Sequence, residues 1–177
     1  LMIGSIFESI KNDDIEIFNI LLKTIDNNVN IRNNCQTSLL IASIYRSSKR
    51  ICEKILKSEK FDTKQNNIVF AFTKCLQEET FSIDIANLLI DFDYKHEHLI
   101  DFNKVIYLTL LKYVDNERIE FLFKHGADPN IPDKNGYYPL EIAIRCKNDN
   151  YVSYLLESGK IDLNQRIPVK ISSSQMP

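Results

Sequence analysis

The chain has 177 residues, of which 44% are hydrophobic and 26% charged, ordinary proportions for a folded domain. The formal net charge is only −2, so nothing in the overall charge draws it to nucleic acid or an acidic membrane. No apolar run approaches the ~20 residues of a membrane span, and the N-terminus lacks the basic start and small-residue cleavage site of a secretory signal.

A paired apolar mark recurs at Leu21-Leu22, Ile55-Leu56, Leu88-Leu89, Leu122-Phe123 and Leu155-Leu156, at intervals of 34, 33, 34 and 33 residues. A fixed period near 33 predicts one helical unit repeated about five times and stacked as a solenoid, not wrapped around a single core. In each unit a helix-opening signal lies between the apolar pair and a residue, usually small, twelve or thirteen positions earlier.

The first unit, 1–31, offers Ser9 and then Asn12-Asp13-Asp14, whose side chains accept the orphan N–H groups of a helix start. Its Lys11, Asp13, Asp14 and Glu16 suit a polar cap at one end of the solenoid. The second unit, 32–64, offers Ala42 and Ser47-Ser48. There Lys49, Arg50, Lys54, Lys57, Lys60 and Lys64 interleave with Glu53, Glu59 and Asp62, as on a solvated helix face carrying i,i+4 pairs. The third, 65–99, offers Cys75, a thiol acting as a small hydrophobe, and Thr80. It is irregular: Glu78-Glu79-Thr80-Phe81 gives a loose connection, and residues 94–101 form a hairpin about two residues longer than the rule. The fourth, 100–132, carries the larger Leu110 at the small position and Asp115-Asn116 at the helix start. His125 closes its second helix, where a partly cationic ring suits the helix dipole.

The fifth unit, 133–165, is the clearest. Asp133-Lys134-Asn135-Gly136 forms a turn in which glycine accepts positive φ, and Pro139 opens a helix where its missing N–H costs nothing. That helix is expected over 140–146, burying Leu140, Ala143 and Ile144. A second is expected over 151–157, burying Val152, Leu155 and Leu156, with Gly159 as its C-cap. Residues 167–177, with three consecutive serines, read as a disordered tail. Leu1 ahead of Met2 and the doubtful cap at the C-terminal end suggest a piece of a longer protein.

Two motifs in this lattice resemble a known family. Gly126-Ala127-Asp128-Pro129-Asn130, followed by Asp133-x-x-Gly136-x-x-Pro139-Leu140, is similar to the hairpin entry and helix start of the ankyrin repeat. Tyr138 replaces the usual Thr, and Glu141 the usual His. Thr37-Ser38-Leu39-Leu40-Ile41-Ala42 repeats the pattern with Ser for Pro. Tetratricopeptide repeats share the unit length, but nothing here matches their Trp-Leu-Gly-Tyr pattern. The resemblance implies an all-α, ankyrin-type helical solenoid with short hairpin turns between helix pairs, over residues 1–166.

The chemistry-bearing residues do not assemble into a catalytic set. Cys35, Cys52, Cys75 and Cys146 form no C-x-x-C pair and read as reduced structural thiols. His96-Glu97-His98 places two rings at i, i+2, but no third ligand lies nearby in sequence, so no metal site is expected. No glycine-rich phosphate loop exists. The chain is therefore expected to be a non-enzymatic, cytoplasmic adaptor without cofactor, membrane span or nucleic-acid partner, and a monomer; as an effector it would act in a host cytosol. The alternative is a scaffold or targeting segment of a larger adaptor, channel or effector whose active module lies elsewhere.

What the resemblance implies about the site is a protein or peptide partner on the concave face, met by hairpin tips and the exposed ends of each first helix. Carried onto this chain, the row is Asn33, Asn34 and Gln36 with Tyr45 and Arg46, then Asp101 and Phe102, then Lys112 and Tyr113, then Lys134, Asn135 and Tyr137 with Arg145. Tyr and Arg suit such a row because they combine contact area with directional hydrogen bonds.

Overall fold

Residues 2–96, 98–110 and 115–164 are described by the computed structural model, and they hold ten helices in five antiparallel pairs. The pairs are α1 (Met2–Lys11) with α2 (Ile15–Thr24), α3 (Leu39–Tyr45) with α4 (Lys49–Leu56), α5 (Ile68–Gln77) with α6 (Ile83–Lys95), α7 (Phe102–Leu110) with α8 (Asn116–Lys124), and α9 (Pro139–Arg145) with α10 (Asp149–Glu157). The fold is an all-helical repeat. Among the described residues the only extended pairing is one antiparallel bridge between Arg32 and Ser38. Lys112, Tyr113, Glu97 and the tail at 167–177 lie outside the described residues.

The residues divide into two compact units at Ile100 and Asp101. In the first, α1, α3 and α5 pack in succession, as do α2, α4 and α6, and each first helix packs on its own second. In the second, α7 packs on α9 and α8 on α10 in the same manner. Among the described residues no helix exceeds 13 residues, so each would be marginal alone and depends on its neighbours for burial.

One turn joins helix to helix within three of the pairs. Asp13, Ser47 and Lys147 take left-handed φ of 52°, 52° and 53°. The next amide then reaches back five residues: Asp14 to the Ser9 carbonyl (2.8 Å), Ser48 to Ser43 (2.9 Å) and Asn148 to Ala143 (3.0 Å). This is a Schellman closure, and it satisfies carbonyls that the helix end leaves open. The geometry corrects one expectation. In the second repeat the fully buried small residue is Ser43, while Ala42 is only half-buried. Ser43 tolerates burial because its hydroxyl donates to the Leu40 carbonyl (2.7 Å), as Ser9 does to Ile6 (2.7 Å).

Helix starts follow the expected chemistry with two shifts and one exception: Ser48 precedes α4 but accepts no helix N–H, its hydroxyl donating instead to the Ile10 carbonyl (3.3 Å). Asp14, Ser38, Asn67 and Asp115 accept from backbone N–H groups three residues on. In the third pair the cap is Ser82 and not Thr80, because the loose connection runs two residues further; in the fifth it is Asn148 and not Asp149 or Asn150. The long third hairpin has its own device. Buried Asp93 accepts from the Leu99 and Ile100 amides (2.8 and 3.1 Å), and its carbonyl accepts from His96 and His98. A carboxylate thus closes the hairpin where the other repeats use shorter turns.

Burial of the fifth pair also departs from the sequence reading. Ala143 and Leu155 are fully buried, Leu140 and Val152 are half-buried, and Ile144 and Leu156 are exposed. These last two lie on the side where, in the first unit, a following pair stacks.

Candidate functional site

The hairpin at 131–137 is built by one carboxylate. Asp133 accepts from the backbone N–H of Asn135 (2.8 Å) and of Tyr137 (2.9 Å), and its own amide donates to the Tyr137 carbonyl (2.8 Å). Burial works against its charge, but these bonds prevail and hold the Asp133 carboxyl below its ordinary range. The turn closes through Gly136, whose φ of 85° suits a residue without a Cβ.

That hairpin is one wall of a groove of about 800 Å³. Residues of α7, among them Asn103, Lys104, Tyr107 and Leu108, form the opposite wall, and Ile142, Arg145 and Cys146 of α9 lie beside them. Four expected partner-binding residues, Lys134, Asn135, Tyr137 and Arg145, converge here, and Asp101 joins them at the rim. Arg145 is held in place from two sides: its guanidinium donates to Glu141 Oε1 (2.9 Å) and lies 4.4 Å from the centre of the Tyr137 ring. The Glu141 bond pushes the guanidinium pKa up further, so the cation is permanent.

Tyr107, Leu108 and Ile142 were not among the expected site residues. Tyr107 donates its hydroxyl to the Ile131 carbonyl and so ties α7 to the hairpin. Burial, aided by the nearby Asp133 charge, pushes its pKa up, leaving a neutral donor. A polar-tipped aromatic in a first helix was the available signal, since a half-buried Tyr needs a partner for its hydroxyl.

The first unit holds the other part of the expected row. Asn33, Tyr45 and Arg46 line a smaller groove of about 300 Å³ with Phe7, Lys11 and Thr37. Asn34 and Gln36 are exposed at the hairpin tip and do not line it. The Asn33 side-chain carbonyl is committed to its own turn, accepting from Cys35 (2.9 Å) and Thr37 (3.0 Å). Asp101 caps α7 through the Lys104 amide (3.1 Å), and Phe102 rests against His125, their ring centres 5.7 Å apart.

The histidines are occupied locally. His96 stacks on Phe92 at 4.0 Å with Nδ1 2.7 Å from the Phe92 carbonyl, while His98 meets the edge of Tyr94. His125 sits at the end of α8, as expected, with Nδ1 2.8 Å from the Phe121 carbonyl. Among the described residues no three His, Cys, Asp or Glu side chains are gathered as metal ligands, and no helix is long and apolar enough to cross a membrane.

A family model described as ankyrin repeats matches residues 75–167 as three copies, more than half of the chain. The chain belongs to the ankyrin repeat family. No curated protein matches it. The matched ankyrin span contains every residue lining the larger groove. The first two helix pairs lie ahead of it, yet their hairpin follows the same hydrogen-bond plan: Asn33 serves Cys35 and Thr37 as Asp133 serves Asn135 and Tyr137. Ankyrin repeats are in general protein-interaction modules, and the chain carries that expectation.

Proposed function

We propose that this ankyrin domain binds a protein or peptide along its concave face, with the groove of the second unit as the principal contact. One observation carries the reading: Tyr137 and Arg145 converge on an apolar groove with Lys134, Asn135 and Tyr107. Arg145 is pre-positioned by Glu141 and Tyr137, so little side-chain freedom remains to be lost on binding. Tyr and Arg in a desolvated centre are the residue types that dominate binding energy. The function is adaptor-like binding and not turnover, in the cytoplasm, where the four cysteines stay reduced.

The test is affinity capture from the source's own lysate with wild type and with a Tyr137→Ala/Arg145→Ala variant, both checked for helical content. A protein retained by wild type and lost by the folded double variant supports the groove. Equal retention by both sinks it.

A further inference from the structure

At the groove of the second unit, the repeats act as controls for one another. Each first helix buries a small residue near its C-terminal end: Ser9, Ser43, Cys75, Thr109 and Ala143. The residue just before it stays at least partly in water. It is Glu8, Ala42 and Lys74 in the first three repeats, but Leu108 and Ile142 in the last two. Packing does not demand an apolar side chain there, since a carboxylate, a methyl group and an ammonium all serve. Leu108, 38% exposed, and Ile142 both line the groove, and Ile131, 43% exposed, joins them from the hairpin. Aliphatic side chains gathered in water, two of them at a position the repeat leaves free, mark a contact surface.

The charged and polar groups around them are unequal. Asp133 spends both carboxylate oxygens on its own hairpin, accepting from the Asn135 and Tyr137 amides and from Asn135 Nδ2 (3.1 Å). Asp101 caps α7 through the Lys104 amide, Asn103 Oδ1 accepts from the Asp128 amide (2.6 Å), and Arg145 is answered by Glu141. Lys104 and Lys134 stand on opposite walls, and among the described residues neither ammonium has an ion pair or a hydrogen bond. The groove therefore offers two open cationic donors beside an apolar surface, while most of its side-chain acceptors are turned onto its own backbone.

We propose that the occupant of this groove is an acidic, apolar peptide segment. An aliphatic or aromatic side chain seats on Leu108 and Ile142, and carboxylates on either side of it meet Lys104 and Lys134. This rests on the groove being the partner site, and it adds the class of peptide that the site selects. Charge complementarity makes the choice, because a basic segment would bring further cations to two that are already unanswered. The two lysines are exposed. Their ion pairs therefore set selectivity and association rate more than affinity, and added salt weakens them.

The test starts from a phage-displayed library of random dodecapeptides, panned on the full chain at low salt. Sequences with Asp or Glu flanking an aliphatic or aromatic residue are expected to be enriched. One of them, synthesised and fluorescently labelled, is then titrated by anisotropy. Lys104→Glu/Lys134→Glu is expected to weaken it about tenfold, since two exposed ion pairs become repulsions. Leu108→Ala/Ile142→Ala is expected to weaken it by a similar factor, and Lys54→Glu, on exposed α4, to leave it unchanged. None of these positions is fully buried, and circular dichroism checks that each variant keeps its helices. Enrichment of neutral or basic sequences overturns the proposal. If those sequences fail on the Tyr137→Ala/Arg145→Ala variant, the groove still stands as the partner site. An acidic peptide indifferent to Lys104→Glu/Lys134→Glu overturns the proposal as well, and one indifferent to every groove variant overturns the groove with it. A library from which nothing is enriched also overturns it.

Discussion

Two hairpin regions, 25–38 and 125–138, stand one hundred residues apart and share much of a hydrogen-bond plan without sharing its glycines, although Asn27 is also left-handed (φ 53°) where Ala127 is not. At the end of the preceding helix, Gly126 has φ 98° and Asp26 has φ 54°; in the following turn, Gly136 has φ 85° and Gln36 has φ 60°. The bonds coincide. Asn27 and Ala127 both donate to the leucine five residues back at 3.0 Å. Asn30 and Asn130 both grip the next hairpin, donating to the carbonyls of Lys60 (2.5 Å) and Lys160 (2.7 Å) and accepting from the amides of Asp62 (2.9 Å) and Asp162 (2.8 Å). The comparison teaches that side-chain acceptors at two positions, 30/130 and 33/133, define this turn. Glycine makes it easier but is not what specifies it.

The largest way to break the parallel is at the helix behind each hairpin. Leu56→Ala should cost about 2–5 kcal/mol by leaving a cavity, while Leu156→Ala should cost under about 0.5 kcal/mol in dilute solution because its side chain is already half in water. Urea midpoints decide this, and equal losses would mean the end face is covered. Next come the latches. Asn30→Ala and Asn130→Ala should each cost about 0.5–1.5 kcal/mol, since each removes hydrogen bonds to a carbonyl and an amide of the neighbouring hairpin that water can then reach. If only the Asn130 variant loses stability, the first hairpin is held by something else.

Smaller effects sharpen the glycine comparison. Gln36→Gly should gain about 0.5–1 kcal/mol by relieving a left-handed residue with a Cβ, and Gly136→Gln should lose a similar amount. The smallest difference is one of pH. Asp133 has a depressed pKa, so its contribution is full above the unfolded carboxyl value near 4 and is lost as pH falls through the lower folded value. Asn33 does the same work without a titrating group. Amide protection at Asn135 and Tyr137, taken relative to the intrinsic exchange rate at each pH, should therefore fall in acid below about pH 4 while that at Cys35 and Thr37 does not; a parallel fall would show that the two turns are not independent.

Much of the fold was legible because the period, the caps and the apolar pairs each report local physics. Leu22, Ile55, Leu89, Leu122 and Leu155 are all buried as their stripe demanded. What failed depended on something outside the residue's own helix. Ile144 and Leu156 obey the same helical pattern as Ile44 and Leu56, and only the neighbouring pair distinguishes them. Ser43 reads as polar until its hydroxyl is seen turned onto the Leu40 carbonyl. Asp93 reads as a surface charge until the long hairpin folds over it. At the candidate site the hairpin residues Lys134, Asn135 and Tyr137 were legible from the turn motif, whereas Tyr107, Leu108 and Ile142 come from helices that only stacking places beside it.

The Asn latch also bears on how the chain responds to force. Asn30 and Asn130 each tie a hairpin to points 30 and 32 residues further along, and Asn30 also accepts from the Asn66 side chain (2.9 Å). A pull on the two ends meets such fastenings in series, and each repeat that yields frees roughly 33 residues, or ~110 Å of extended polypeptide. A molecule fastened this way lengthens under load in discrete steps, and the repeats still fastened keep their grooves while one end lets go.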